Sequence, residues 1–405
     1  MAEPTPHPAR RQLDLTWQEA VPQAGVQAAL ALMDSGKMHR YGETGAKPGE
    51  AAALEAQFAA ELGLPYCVAM NSCGSTMFAA LRCSGVRPGD KVLSNCFTLA
   101  PVPGAIAHAG AVPVLVDVTE DLLIDLDDLR RKAVASGATT LLLSHMRGHI
   151  CDMDAVTAIC RELGIALIED CAHTMGASWN GKPTGTWGVA GCFSLQSYKH
   201  ANSGEGGLLV TADADLAAQA VLLSGSYMLY ASHLARPGPE VFERWKYHTP
   251  NFSLRMSNLP AALARAQLGE VLQERCQRWN QRYGWLAGAL EGTRHLRLPQ
   301  RPAKEQFVGS SIQFLLREMT RPQMQSVIAA CAEHGVHIKW FGADEPVGFT
   351  SVWTHWRYFG ASQDLPQAQS VLGALCDLRL PLSLTQADCL AIAHTIRAAV
   401  KSVLS

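Results

Sequence analysis

The stretch Gly191-Cys-Phe-Ser-Leu-Gln-Ser-Tyr-Lys-His-Ala-Asn-Ser-Gly-Glu-Gly-Gly207 sets one lysine, Lys199, between a small mixed run and a Ser-Gly-Glu-Gly-Gly turn. The apolar strand Leu208–Thr211 follows directly. Glycines at 204, 206 and 207 let the backbone turn sharply and approach a ligand where a Cβ would clash. A lysine beside such a turn, with its stem among apolar groups, is placed for a lowered pKa. Its neutral amine can then form a Schiff base with an aldehyde cofactor. Taken alone, such a lysine is ordinarily a solvated loop residue. The residues upstream change the reading.

Asp170 ends the apolar strand Ala166–Asp170, and His173 follows in Glu169-Asp-Cys-Ala-His-Thr-Met-Gly-Ala177. A carboxylate in apolar surroundings must be paired or protonated. No lysine or arginine lies near Asp170 in sequence, so a cation brought by a ligand is the natural partner. A pyridinium nitrogen would serve, because pairing with Asp keeps it protonated and the ring electron-withdrawing. Asp170 is equally suited to cap a helix, and His173 by itself reads as a packing histidine. Carboxylate, histidine and lysine together fit pyridoxal phosphate better than any of them singly.

Further upstream, the buried strand Tyr66–Met70 runs into Asn71-Ser-Cys-Gly-Ser-Thr76 and then a helix ending near Gly85. Strand, small polar turn and helix place free N–H groups where a phosphate binds, around Gly74 and Ser75. A plain N-cap serine is the alternative. From there strands at 91–94, 113–117, 139–144 and 166–170 alternate with helices. Nearly continuous apolar strands in βα units describe a mostly parallel sheet covered on both faces. Ligands gather at the carboxyl ends of such strands, where the 71–76 turn, Phe97 and Asp170 all fall.

The 405 residues exceed one ordinary core and suit a large domain plus a smaller one. The division expected is an N-terminal arm over 1–24, a large domain over 25–298 and a small C-terminal α/β domain over 299–405. A formal net charge of −2, with 48% apolar and 17% charged residues, gives no field suited to nucleic acid or an anionic membrane. No apolar run reaches the ~20 residues of a membrane span, and the first residues lack a signal-peptide core. Twelve scattered cysteines without a CxxC pair exclude a metal-ligand pattern and point to a reduced, cytoplasmic setting.

On these residues the chain resembles the DegT/DnrJ/StrS family of fold-type I aminotransferases, which use pyridoxal phosphate and often act on keto sugars. The resemblance runs from about Gly36 to Leu382. It is carried by Glu169-Asp170 with His173, by Gly191–Ser194, and by Lys199 followed by Gly204–Gly207. It implies that Lys199 binds the cofactor aldehyde and shuttles the proton, and that Asp170 pairs with the pyridine nitrogen. It places His173, where a glutamine is usual, near the ring hydroxyl, and gives the phosphate to Ser194 with the Gly74-Ser75 backbone. The family stacks an aromatic on the ring two residues after Phe97; here that position is Leu99, so Leu99 or Phe97 fills the place. An asparagine from the partner subunit is also expected. Here the motif reads Asn251-Phe-Ser-Leu-Arg-Met-Ser257, two residues longer, with Asn251 the candidate.

The resemblance thus implies a homodimer moving an amino group from glutamate or glutamine to a keto sugar or keto-cyclitol. The run Ser194–Lys199 with Ser203–Gly207 is most like members that aminate keto-cyclitols. The competing readings are a non-catalytic small-molecule binder on the same scaffold and a pyridoxal-phosphate-dependent sugar dehydratase. A binder has no need of an amine beside the carboxylate. In the dehydratase branch histidine replaces the lysine, which counts against that reading. Downstream, one helical stretch is expected from about Asn258 to Glu291, then a linker at Pro299–Pro302. His337–Gly342 and the Trp-rich Ser351–Phe359 read as aromatic core or as the lining of a substrate mouth.

Overall fold

The computed structural model describes residues 13–42, 48–350, 352–359 and 363–404. Half of the expected arm (1–12), residues 43–45 of the Gly-rich Tyr41–Gly45 segment, and Ser351 lie outside the described residues.

The first strands are β1 (Tyr66–Met70), β2 (Lys91–Asn95), β3 (Val112–Val116), β4 (Thr140–Ser144) and β5 (Ala166–Asp170). After a short hairpin of β6 (Ser178–Trp179) and β7 (Lys182–Pro183) come β8 (Ala190–Ser194) and β9 (Gly207–Thr211). The main sheet has seven strands in the order β1-β9-β8-β5-β4-β2-β3, and only β9 runs against its neighbours. Every residue of β4, β8 and β9 is buried, as strands covered on both faces must be. The register matters for the site: Ser144 pairs with Asp170, and Ser194 with Gly207. Ser144 and Asp170 thus lie side by side at the strand ends, and Asp170 and Ser194 border one cavity there.

The C-terminal half adds β10 (Leu296–Arg297), β11 (Glu305–Gln306), β12 (Ser311–Leu316), β13 (Lys339–Trp340) and β14 (Leu375–Arg379). Four of these form an antiparallel sheet in the order β10-β12-β14-β13, while β11 pairs with β6. Helices Arg321–Glu333, Gln386–Leu404 and Glu270–Leu290 pack on that sheet around Phe314, Leu286 and Ile396. A capping box of Thr320 and Gln323 starts the first of them. The single helix expected over 258–291 is two helices, Asn258–Arg265 and Glu270–Leu290. Gly269, at φ +62°, supplies the left-handed break between them.

A further apolar cluster joins the two halves: Phe97, Leu115 and Met146 pack with Phe341, Trp356 and Leu372. The Trp-rich C-terminal segment thus gives Trp356 to the core, with Trp353 and Phe359 packed against it and Tyr358 left exposed. Among the described residues, no helix is long and apolar enough to cross a membrane.

Candidate active site

Lys199 rides on the loop that joins the antiparallel neighbours β8 and β9. The loop is tied across its base: Leu195 N–H donates to Gly206 O (2.9 Å), Ser203 N–H to Leu195 O (2.9 Å) and Ser197 N–H to Gly204 O (3.0 Å). Gly204 turns at φ +82° with open space around it. Gly207 is needed for a different reason from the one expected. A Cβ there would sit 2.4 Å from Ser72 O and 2.6 Å from Cys73 N, so the close approach is to the backbone of the phosphate-type turn and not to a ligand. The two motifs are thereby locked together.

The Lys199 amine lies 3.0 Å from Nε2 of buried His173. Burial, with the positive charge of Arg147 next, lowers its pKa from 10.5 to about 8, against the pull of Asp170. Burial and then the Lys199 charge hold His173 well below its ordinary range, so its ring is neutral. A neutral imidazole at hydrogen-bond distance orients the amine without adding charge.

Asp170 is buried at the end of β5. Ser144 Oγ donates to its Oδ2 (2.7 Å) and the Ala172 N–H to its Oδ1 (3.1 Å). Residues 171–177 form turns, so Asp170 caps no helix. Among the described residues no lysine or arginine forms an ion pair with it, which leaves a buried carboxylate fit to hold a ligand cation. Glu169 beside it does structural work: its oxygens accept the N–H groups of Gly185, Trp187 and Gly188 at 2.9, 2.7 and 3.1 Å.

The helix Cys73–Cys83 starts at Ser72, whose Oγ accepts the Ser75 N–H (3.0 Å), so the serine cap is real. The Ser75 hydroxyl is also taken, donating to Asn71 Oδ1 (2.6 Å). The N–H groups of Cys73 and Gly74 fall in the first turn, which has no helical acceptor for them, and Gly74 borders the cavity. Asp170, His173, Lys199, Ser194, Gly74 and Leu99 all wall one cavity of about 370 Å³. Amine, buried carboxylate and open helix N-terminus around one space fit a cofactor with an aldehyde, a basic ring nitrogen and a phosphate.

Three candidates are not brought there, the first being Ser75, whose N–H and hydroxyl are taken by Ser72 and Asn71. Phe97 is fully buried and packs on Phe341 (ring centroids 5.5 Å apart) in the cluster joining the halves, while Leu99 takes the cavity wall. Asn251 is exposed outside the cavity, its Oδ1 accepting the Ser253 N–H (2.9 Å).

The structure also adds residues absent from the sequence reading. Besides Ser144, Arg147 follows β4 in a left-handed conformation (φ +56°) and pairs with buried Asp377 at 2.7 Å. Arg379, at the end of β14, lies with its guanidinium 3.7 Å from the Tyr198 ring centroid. Its pKa is lowered to about 10, by burial and then by the Arg147 charge. Both arginines, with Lys199 and His173, wall a second small cavity of about 40 Å³. Arg147 could have been flagged by its place just past a parallel strand's carboxyl end; Arg379 carries no local signal.

The sequence profile of the DegT/DnrJ/EryC1/StrS aminotransferase family matches residues 23–397. The chain belongs to that family. As a DegT-family chain it is 34% identical over 218 residues to the spore coat polysaccharide biosynthesis protein SpsC of Bacillus subtilis, covering 53% of this chain and 55% of that protein. It is 32% identical over 219 residues to the GDP-perosamine synthase of Caulobacter vibrioides, 54% and 56% of the two chains. It is 33% identical over 202 residues to the L-glutamine:2-deoxy-scyllo-inosose aminotransferase of Streptomyces fradiae, 50% and 47%. These matches span about half the length of the curated relatives. The fold matches the aminotransferase TlmJ of Streptoalloteichus hindustanus with a TM-score of 0.79 at 22% identity, over 96% of this chain and 99% of that one.

Proposed function

We propose that this DegT-family chain is a pyridoxal-phosphate-dependent aminotransferase, moving an amino group from glutamate or glutamine to a keto sugar or keto-cyclitol. One observation carries the reading. Lys199, with its pKa near 8, stands beside neutral His173 on the wall that also holds the unpaired carboxylate Asp170. The names of the relatives above support the substrate class.

Pyridoxal phosphate, when bound, supplies an aldehyde that takes up amines and a ring that withdraws electrons. Lys199 would hold that aldehyde between turnovers and carry the proton between substrate and cofactor carbons. Its lowered pKa lets it release and regain a proton near neutral pH. Asp170 would keep the ring nitrogen protonated, and the Ser144 hydroxyl fixes the carboxylate's plane for that task. His173 would stand at the ring hydroxyl. Gly74 with its helix N-terminus and Ser194 would hold the phosphate, and the Ser75 N–H, engaged by Ser72, would serve the cap instead. Leu99 would pack where an aromatic is usual.

The reading includes a homodimer. Tyr227, Met228 and Phe252 are exposed at 56%, 52% and 64%, an apolar patch beside Asn251. Asn251 would reach the partner's site across it. If so, mixing Lys199→Ala with Asn251→Ala subunits restores part of the activity; no recovery after proven subunit exchange removes Asn251 from that role. A reduced, cytoplasmic setting and the division near 24 and 298 belong to the same reading.

The test is a half-reaction screen. Enzyme carrying cofactor is mixed with each amino donor while the cofactor absorbance is followed, then challenged with keto sugars and keto-cyclitols. Glutamate or glutamine should convert the chromophore and a polyol ketone restore it. A chromophore that no amino donor changes would overturn the proposal.

A further inference from the structure

The loop after β4 belongs to the main sheet, yet two residues of the second sheet grip it. Arg147 in that loop takes the left-handed region, which a bulky residue ordinarily avoids (φ +56°). Its Nη2 meets Asp377 Oδ2 on β14 at 2.7 Å, and its buried Nε has no partner. The Phe349 ring lies 5.4 Å from the guanidinium centre, a contact that does not fix the direction of the fork. Asp377 is the anchor that does.

Asp377 is held in its turn by Gln313, its cross-strand neighbour on β12. The other Asp377 oxygen accepts from Gln313 Nε2 at 2.7 Å, and the same amide donates to Ser311 Oγ at 2.8 Å. An ionised carboxylate only accepts, so it sets the amide's orientation and turns Gln313 Oε1 toward His149 Nε2, 2.8 Å away. Burial, and then the Arg301 charge, hold His149 well below its ordinary range, so the ring is neutral and Nε2 carries the proton. His149, Gln313 and Asp377 are all buried. Lys339, opposite Asp377 in the β13–β14 register, gives its amine to Val347 O (2.6 Å) and Phe349 O (2.8 Å), which leaves the carboxylate to Arg147. Arg147 in turn shares a cavity wall with Lys199.

We propose that Asp377 is a positioning residue of the reaction: braced by Gln313, it holds the Arg147 guanidinium against the reacting amine of Lys199. The proposal rests on the reading of Lys199 as that amine and adds a residue of the second sheet to it. Around Lys199, Asp170 and Cys73 favour its proton while Arg147 and Arg379 disfavour it, and Arg147 is the strongest of these charges. His173 and His200 beside it are neutral, and Arg379 is held apart on the Tyr198 ring, 3.7 Å from its centre. An amine must be neutral to act as nucleophile or base, so a positive charge fixed beside it keeps it ready.

Positioning and plain charge balance move the Lys199 proton in opposite directions. If Asp377 only balanced its cationic neighbours, removing its charge would disfavour that proton further. If it positions Arg147, removing it lets the guanidinium turn away, and the proton is held more tightly.

The experiment follows arylation of Lys199 by trinitrobenzenesulfonate in cofactor-free protein across pH, read by mass spectrometry. It needs no donor, acceptor or turnover, so a cofactor found on another lysine would fail the aminotransferase reading and leave this result standing. In Asp377→Asn, labelling at pH 7 should slow roughly threefold or more, with the midpoint moved up and the limiting rate at high pH unchanged. In an Arg147→Gln background the same substitution should give no upward shift, because the group it positions is gone. A midpoint that stays or falls in Asp377→Asn overturns the proposal, and so does an equal rise in the Arg147→Gln background. If Asp377→Asn does not fold, Gln313→Met takes its place. There Asp377 keeps its charge but loses its brace, and the midpoint should rise by less than in Arg147→Gln. An unmoved or lowered midpoint in that variant overturns the proposal as well.

Discussion

Lys199 stands between two walls of unlike origin. The wall with Asp170, His173, Ser194 and Gly74 is drawn from strand ends and turns of the main sheet, each in a short run with its own chemistry. The wall with Arg147 and Arg379 joins a left-handed residue after β4 to the last residue of a strand more than two hundred positions later. The first is written locally, the second assembled by topology. The difference separates what a short run of sequence can state from what only the fold brings together. It also sets opposite electrical demands on one amine, since Asp170 favours its proton and Arg147 disfavours it.

The largest expected break is on the first wall. Asp170→Asn keeps the shape and the Ser144 contact but removes the charge that would hold a proton on the ring nitrogen. Turnover should fall by roughly two to four orders of magnitude, about 3–5 kcal/mol of transition-state stabilisation. Steady-state rates check it, with cofactor affinity falling less because the helix N-terminus and Lys199 remain. Near-normal turnover would leave Asp170 as the anchor of the 171–177 turn and nothing more.

Next comes the seam between the two motifs of that wall. Gly207→Ala drives a Cβ into Ser72 O at 2.4 Å, a backbone atom that cannot step aside. It should cost about 1–3 kcal/mol of stability and weaken cofactor binding. Gly204→Ala meets no atom within 4 Å and bears only the left-handed φ of +82°, so about 1 kcal/mol is expected. Thermal melts with and without cofactor separate the two. Equal effects would mean that Gly207 is a turn residue and that the motifs are not locked through it.

The smallest effect compares the walls through the amine itself. With a pKa near 8, Lys199 is mostly protonated at pH 7, and its reactive neutral fraction grows roughly fivefold between pH 7 and 8 before it flattens. In cofactor-free protein the rate of arylation of Lys199 should therefore level off above about pH 8, where an ordinary lysine is still rising toward 10.5. Arg147→Gln removes a positive charge and should move the midpoint up; Asp170→Asn removes a negative one and should move it down. Mass-spectrometric rates at Lys199 read both shifts. A midpoint near 10 in the wild type would refute the buried, reactive amine.

Most of the main sheet was legible because its strands are apolar throughout and its helices are punctuated by glycine. β1 and β5 fall on the expected residues, and the parallel arrangement follows from the βα alternation. The direction of the second sheet was not legible. Alternating strands and helices suit β12 and β14 equally well in either direction, and only the register Ser311 to Arg379 decides it. Gly269 falls inside the stretch expected as one helix, and its positive φ cuts that helix in two. Between Phe97 and Leu99 the sequence offered no decision, because strand alternation ends at Asn95. Packing settles the placement: Phe97 fills the joint with Phe341, and Leu99 is left at the cavity. Arg379 was silent because its meaning lies in Tyr198 and Arg147, distant in the chain.

The central claim is that Lys199 is the amine that binds the cofactor aldehyde. Borohydride added to the enzyme carrying its cofactor should bleach the visible absorbance and fix one pyridoxyl group per chain. Peptide mapping should then find that group on Lys199, with no label in Lys199→Ala. A label on any other lysine, or labelling that survives Lys199→Ala, would contradict the account.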